Sequence, residues 1–223
     1  MKAMILAAGR GERMRPLTDH TPKPLLVAGG KPLIVWHLEK LAAAGFREIV
    51  INHAHLGEQI EQALGDGSKW GLTIAYSPEP RGALETAGGI AKAVPLLGGA
   101  PFLVVNGDIW CDIDFARFFG STANAHLVMI DNPAHHAGGD FGLAGDRVVF
   151  AAAGRPTFTY AGVGIFSPAF FHDVPVGQPL KLRPLLDAAI SLGTLTGERH
   201  VGRWVDVGTP QRLAELDREL TAA

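Results

Sequence analysis

Strand-like and helix-like segments alternate along the first 130 residues of the chain, and this alternation predicts an α/β fold with a mostly parallel central sheet flanked by helices. Two further observations support that class. The strand candidates are short apolar runs of the kind buried on both faces of a sheet. Glycine or proline punctuates the junctions between elements.

Residues 3–8 form such a run, stopped by Gly9, and read as a buried strand. A Gly/Arg/Pro/Lys segment follows over residues 9–30. Loops of that length inside a compact domain are usually functional. Pro32 opens a helix to about Ala44, closed by Gly45. Residues 48–53 read as a second strand, 57–64 as a helix, 72–77 as a third strand and 85–97 as a helix. Residues 101–106 give a fourth strand, 114–119 a short helix and 126–130 another strand. Ligands in such sheets bind at the carboxyl ends of the strands, so the loops at 7–30, 78–88 and 106–114 are expected on one face.

After Ile130 the character changes. Residues 132–139 are loop-like, and short strand-like pieces follow at 141–144, 147–150 and 159–166. A helix over 180–192, strands over 195–198 and 203–207 and a helix over 210–220 complete the chain. With no linker and no repeat, residues 1–223 read as a single domain. Its first half ends near residue 130, and a second lobe from about 131 is built onto the same sheet.

The composition fits a globular chain with a substantial core, at 47% hydrophobic and 19% charged. Net charge is -2 and no Lys/Arg tract is present, which makes nucleic acid a poor partner. The single cysteine, Cys111, excludes a disulfide or a cysteine-based zinc site within one chain and reads as a small buried apolar residue. No apolar run reaches ~18 residues, so no membrane span is expected. Glycines follow the N-terminus too early for a signal peptide, and the cytoplasm is the expected compartment.

The stretch Leu6-Ala7-Ala8-Gly9-Arg10-Gly11-Glu12-Arg13-Met14-Arg15-Pro16-Leu17-Thr18 has the chemistry of a phosphate cradle. Its glycines let backbone N–H groups approach phosphate oxygens, and its arginines add charge and fork geometry. Pro22 and Pro24 restrict the backbone on both sides of Lys23, whose fixed charge suits a phosphoryl group in transfer. The dinucleotide fingerprint is absent, since Met14 stands at the third glycine and the second strand ends Asn52-His53 without a ribose acid. This argues against a nicotinamide-dependent oxidoreductase. The kinase-type phosphate loop is absent too.

The span from Leu6 to Lys23 resembles the signature of the nucleotide-sugar pyrophosphorylases. The resemblance continues, more thinly, to about residue 210. It implies a Rossmann-like, GT-A-like nucleotidyltransferase fold and Mg²⁺-dependent joining of a nucleoside triphosphate to a sugar 1-phosphate. It places Leu6, Ala7, Ala8, Gly9, Gly11, Glu12 and Arg13 around the triphosphate and Lys23 on its α-phosphate, with Arg13 and Lys23 catalytic. Glu12 departs from the usual Thr or Ser, and a carboxylate there should point away from phosphate.

Asp108 ends the fourth strand beside a glycine turn, and Asp206 stands at the end of a late strand before Gly208-Thr209-Pro210. Taken singly, each suits a turn or a helix cap. In the context of Lys23, the resemblance makes them the Mg²⁺ carboxylates. Asp112 and Asp114 read as loop and cap residues. Adjacent His135 and His136 need not face one way, and no third zinc ligand is evident.

The loop from Glu79 to Gly89 resembles the base-reading loop of the family. Glu79 would accept from a ring N–H, with backbone at Ala83 and Gly88 closing over the base. That disfavours ATP and leaves UTP and GTP open on chemistry alone. UTP is the nucleotide that the resemblance favours. For the sugar, Asn106, Asp140, Gly142, Gly162 and Asp206 are the candidates, with room for an N-acetyl group. Gly154-Arg155-Pro156 lacks a Glu common in the family, which suggests an unusual sugar whose carboxylate Arg155 or another cation would face. The chain lacks the C-terminal extensions of longer members. A non-catalytic nucleotide-sugar sensor is the rival, and retention of Arg13, Lys23, Asp108 and Asp206 together argues against it.

Overall fold

The structure is a computed structural model describing residues 1–80 and 82–222. Arg81, inside the predicted base loop, lies outside the described residues. The chain runs β1 (Ala3–Ala7), β2 (Val27–Ala28), β3 (Lys31–Pro32), α1 (Leu33–Ala43), β4 (Glu48–His53), α2 (Gly57–Leu64) and β5 (Thr73–Pro78). It continues through α3 (Glu85–Leu97), β6 (Phe102–Asn106), β7 (Ile109–Cys111), β8 (Ala125–Ile130), β9 (Gly142–Ala144) and β10 (Arg147–Val149). Last come β11 (Thr159–Phe166), α4 (Arg183–Ser191), β12 (Thr196–Arg199), β13 (Trp204–Asp206) and α5 (Pro210–Thr221).

Nine strands form one sheet in the order β5-β4-β1-β6-β11-β8-β12-β10-β9. The strands β5, β4, β1 and β6 pair in parallel, as do β8 and β12. Against this direction run β11, wedged between β6 and β8, and β10 near the far edge. The fold is therefore the expected mostly parallel α/β sheet, and both halves of the chain contribute strands to it.

Strand side chains alternate between two layers, as a period of two requires. Ile5, Leu103, Val105, Val163 and Val128 face the layer of α1 and α2. Met4, Phe102, Val104, Leu127 and Met129 face the layer of α3 and α4. Burying each of these side chains stabilises the fold by roughly 1.5–3 kcal/mol before entropy is counted. A third, smaller core joins the β2–β3 hairpin to α5 through Leu33, Val207 and Leu216.

Two expected elements differ. The helix predicted from residue 180 begins at Arg183. Leu180 instead straps the N-terminal turn of α3: its carbonyl accepts from Ala87 and Gly88, and its N–H donates to Leu84. The 114–119 helix is a short 3-10 turn, Phe115–Phe118, capped by the Asp114 carboxylate.

Candidate active site

The carboxyl ends of β1, β4, β5 and β6 open onto one cleft of about 340 Å³. Its floor is Leu6, Ala7, Ala8 and Gly9 from the first loop, and its walls include Lys23, Glu79, Ala83 and Asp108. The three loops expected on one face thus meet there. A second cleft, of about 370 Å³, is lined by Arg13, His135, His136, Tyr160, Gly162 and Asp206, among others. Asn106 and Asp108 line both. The two clefts therefore join at the end of β6.

In the first cleft two of the lining side chains also hold the backbone. Asn52, at the end of β4, accepts from Ala7 N–H (2.9 Å) and donates to Glu79 Oε1 (2.6 Å). Glu79 Oε2 accepts from Leu84 N–H at 2.7 Å. These bonds fix a loop in which Ala83 and Glu85 both take left-handed backbone conformations (φ 57° and 56°). Non-glycine residues there cost energy that the surrounding contacts must offset, a pattern common at ligand clamps. Each Glu79 oxygen keeps a second lone pair, so contact with a base N–H is compatible with this role.

Lys23 sits in a 3-10 turn between its two prolines. Its side chain is only 8% exposed, and its ammonium lies 2.6 Å from Asp108 Oδ2. Gly11 has φ 70°, and a Cβ there would meet Thr18 at 2.9 Å and Lys23 Cβ at 3.3 Å. A glycine at this turn lets the loop fold tightly beside the lysine. Glu12 pairs with Arg10 (2.5 Å) and, at 3.5 Å, with Arg15.

The two site carboxylates come together through an antiparallel ribbon. β7 pairs with β13 with Asp206 opposite Ile109, and Val207 N–H donates to the Asp108 carbonyl at 3.0 Å. Asp108 and Asp206 thus stand at one end of the ribbon. Asp206 Oδ2 is bound by Arg212 Nη1 at 2.9 Å and lies 3.4 Å from His135 Nε2. Magnesium is commonly held by one or two carboxylates completed by substrate phosphates and water. A ribbon end with two carboxylates, opening to both clefts, has the donor set for it.

In the second cleft, the pairing of β11 with β8 shifts register between Tyr160 and Gly164. Such bulges re-aim a strand beside functional sites. Gly162 lies in the bulge at φ 72°, and a Cβ there would strike Asn106 Nδ2 at 2.5 Å. Trp204 Nε1 donates to the Ala161 carbonyl (2.8 Å) and ties the bulge to the ribbon.

Several expected residues sit elsewhere than their roles require. Gly88 does not line the first cleft; it is buried in α3 with its N–H on Leu180. Arg13 lines the second cleft rather than the first. Asp140 spends its carboxylate on Tyr160 N–H (2.8 Å) and His136 (3.0 Å), as a support behind the wall. Gly142 is buried against Val149. Arg155 stays exposed on a turn. The sequence reading missed Asn52, His135, His136 and Arg212. The two histidines turn to different partners, His135 to Arg212 (2.6 Å) and His136 to Asp140. Asp112 binds His200 and Arg203 N–H, and Cys111 is buried, its thiol pushed up by burial.

The profile of the Nucleotidyl transferase family matches residues 2–146, and the chain belongs to that family. It is 57% identical over 222 residues to the N-acetylmuramate alpha-1-phosphate uridylyltransferase of Neisseria meningitidis serogroup B, covering 96% of each chain. The enzyme of the same name from Caulobacter vibrioides is 36% identical, covering 99% of this chain and 97% of its own. A UTP--glucose-1-phosphate uridylyltransferase of Synechocystis is 42% identical, but the alignment spans 60% of it and 93% of this chain. Among solved structures, a Bacillus anthracis chain named for glucose-1-phosphate thymidylyltransferase superposes with a TM-score of 0.86 at 22% identity. It is matched over 96% of its length and 100% of this chain, which shows the fold.

Proposed function

We propose that this chain transfers a uridylyl group from UTP to N-acetylmuramate α-1-phosphate, releasing pyrophosphate, as a step of cell-wall sugar recycling. The observation that carries the reading is the meeting of two clefts at Asn106 and Asp108. Full-length similarity to two uridylyltransferases of that name supports the substrates.

UTP fits the first cleft, with its base under the Glu79–Ala83 loop and its phosphates toward Gly9 and Lys23. The sugar phosphate fits the second, where Arg13 and the histidines offer donors. The sugar phosphate oxygen attacks the α-phosphorus in line and pyrophosphate leaves, with no enzyme nucleophile. Catalysis is then positioning and charge neutralisation. Lys23 offsets charge developing on the α-phosphate. Asp108 and Asp206 would hold Mg²⁺, which supplies neutralisation of the phosphate oxygens. Arg212, which binds Asp206 beside the second cleft, would be the cation for the sugar's own carboxylate.

The test is pyrophosphate release with Mg²⁺, crossing UTP, GTP, dTTP and ATP against N-acetylmuramate, N-acetylglucosamine, glucose and mannose 1-phosphates. The expected maximum is UTP with N-acetylmuramate 1-phosphate. A maximum for GTP with mannose 1-phosphate keeps the chemistry and overturns the substrates. Silence across the grid favours a nucleotide-sugar sensor.

A further inference from the structure

A two-stranded ribbon leaves each strand with one edge that no strand covers, and the carbonyls on that edge need donors from elsewhere. In the β7–β13 ribbon, those donors come from a helix. His37 Nε2 on α1 lies 2.8 Å from the Ile109 carbonyl oxygen, and Lys40 Nζ donates to the Cys111 carbonyl. Ile109 and Cys111 are two residues apart, so their carbonyls face the same edge. His37 and Lys40 are three apart, so they share a face of α1. The spacing on the helix matches the spacing on the strand.

The identity of the first residue is informative. His37 is 1% exposed, and its Nδ1 has no hydrogen-bond partner among the described residues. A buried polar atom without a partner is costly, so an apolar residue would serve the core better. Burial pushes the ring's pKa down to about 4, against the raising influence of the Ile109 carbonyl. The neutral ring therefore carries its single proton on Nε2, where a carbonyl can only accept. The histidine is a donor aimed at one oxygen, one residue from Asp108.

We propose that His37 and Lys40 are positioning residues for the metal site, capping Ile109 and Cys111 so that the ribbon presents Asp108 and Asp206 together. This rests on the reading of those two carboxylates as metal ligands. Neither side chain touches substrate; both act through the ribbon backbone.

The experiment titrates Mg²⁺ calorimetrically into the full chain with a non-hydrolysable UTP analogue. It compares wild type, His37→Phe, His37→Gln, Lys40→Met and Asp108→Asn. His37→Phe keeps the buried ring and loses the donor, and metal affinity should fall about 10-fold or more, as for other groups that orient metal ligands. His37→Gln keeps an N–H near the Nε2 position and should restore most of the loss. Lys40→Met keeps the stem and should weaken binding by a smaller factor. A folded His37→Phe with wild-type metal affinity overturns the proposal, and so does a His37→Gln as weak as His37→Phe. Should His37→Phe not fold, wild-type affinity in Lys40→Met overturns it. If Asp108→Asn also binds metal normally, the failure lies in the metal reading itself. Loss in Asp108→Asn with none in the helix variants locates it in the positioning claim.

Discussion

The two clefts are built on different principles. The first lies at the ends of four neighbouring strands, where Asn52 and Glu79 both line the cleft and bond to its loop backbone. The second is lined by side chains from separate segments: Arg13, the 133–136 turn, the β11 bulge and the ribbon. Its polar groups are tied to one another, as in the Arg212–His135–Asp206 cluster. On the proposed function the first cleft takes the phosphates, which every nucleotide carries. A wall of side chains can be altered residue by residue to suit a sugar. On the proposed function, the first cleft carries the general chemistry and the second the choice of acceptor.

Substitutions should separate the two. Lys23→Ala removes a preorganised charge from the first cleft and should lower kcat by about 10²–10³-fold in steady-state pyrophosphate release. Near-normal turnover in the folded variant would contradict its role. Gly162→Ala forces a Cβ onto Asn106 at a left-handed φ and should cost roughly 1–3 kcal/mol in urea unfolding. An unchanged midpoint would mean the bulge relaxes freely. Glu79→Ala frees Leu84 N–H and Asn52, and the KM for UTP should rise about 10-fold, the scale of one lost hydrogen bond to a charged group.

A further effect concerns the helix beneath the ribbon. His37, facing Lys40 and Asp108, has its folded pKa depressed to about 4. Its contribution to stability is therefore complete above about pH 6.5 and is lost as pH falls toward 4. Between pH 7 and pH 5 that loss is about 2 kcal/mol. Urea unfolding of wild type and His37→Phe at both pH values should show the smaller decline in the variant; equal declines would contradict the depressed pKa.

The same contrast explains what could be read from the chain. Much of the first cleft is legible in sequence: Leu6 to Lys23 is one stretch, and the alternating strands bring Asn52, Glu79 and Asn106 beside it. Glu48–His53 and Glu85–Leu97 declare themselves by apolar pattern and glycine boundaries. The second cleft depends on pairings that no local pattern encodes. His135 and Arg212 are 77 residues apart and meet because β13 pairs with β7 and α5 folds back on β2 and β3. Gly88 reads as part of the base loop because the resemblance runs from Glu79 to Gly89. Its burial under Leu180 arises from a strap 92 positions downstream (Gly88 to Leu180), which propensity reads as helix. Asn52 was visible only as a missing ribose acid, although an amide at a strand end beside a phosphate loop was the available signal.

The division of labour is tested most directly by paired KM values. Glu79→Ala alters the first cleft and His136→Ala the second, and KM for UTP and for N-acetylmuramate 1-phosphate is measured in both variants. The account predicts a crossed result, with UTP weakened in Glu79→Ala and the sugar phosphate weakened in His136→Ala. Both substitutions raising the KM of the same substrate, with the other unchanged, would contradict it.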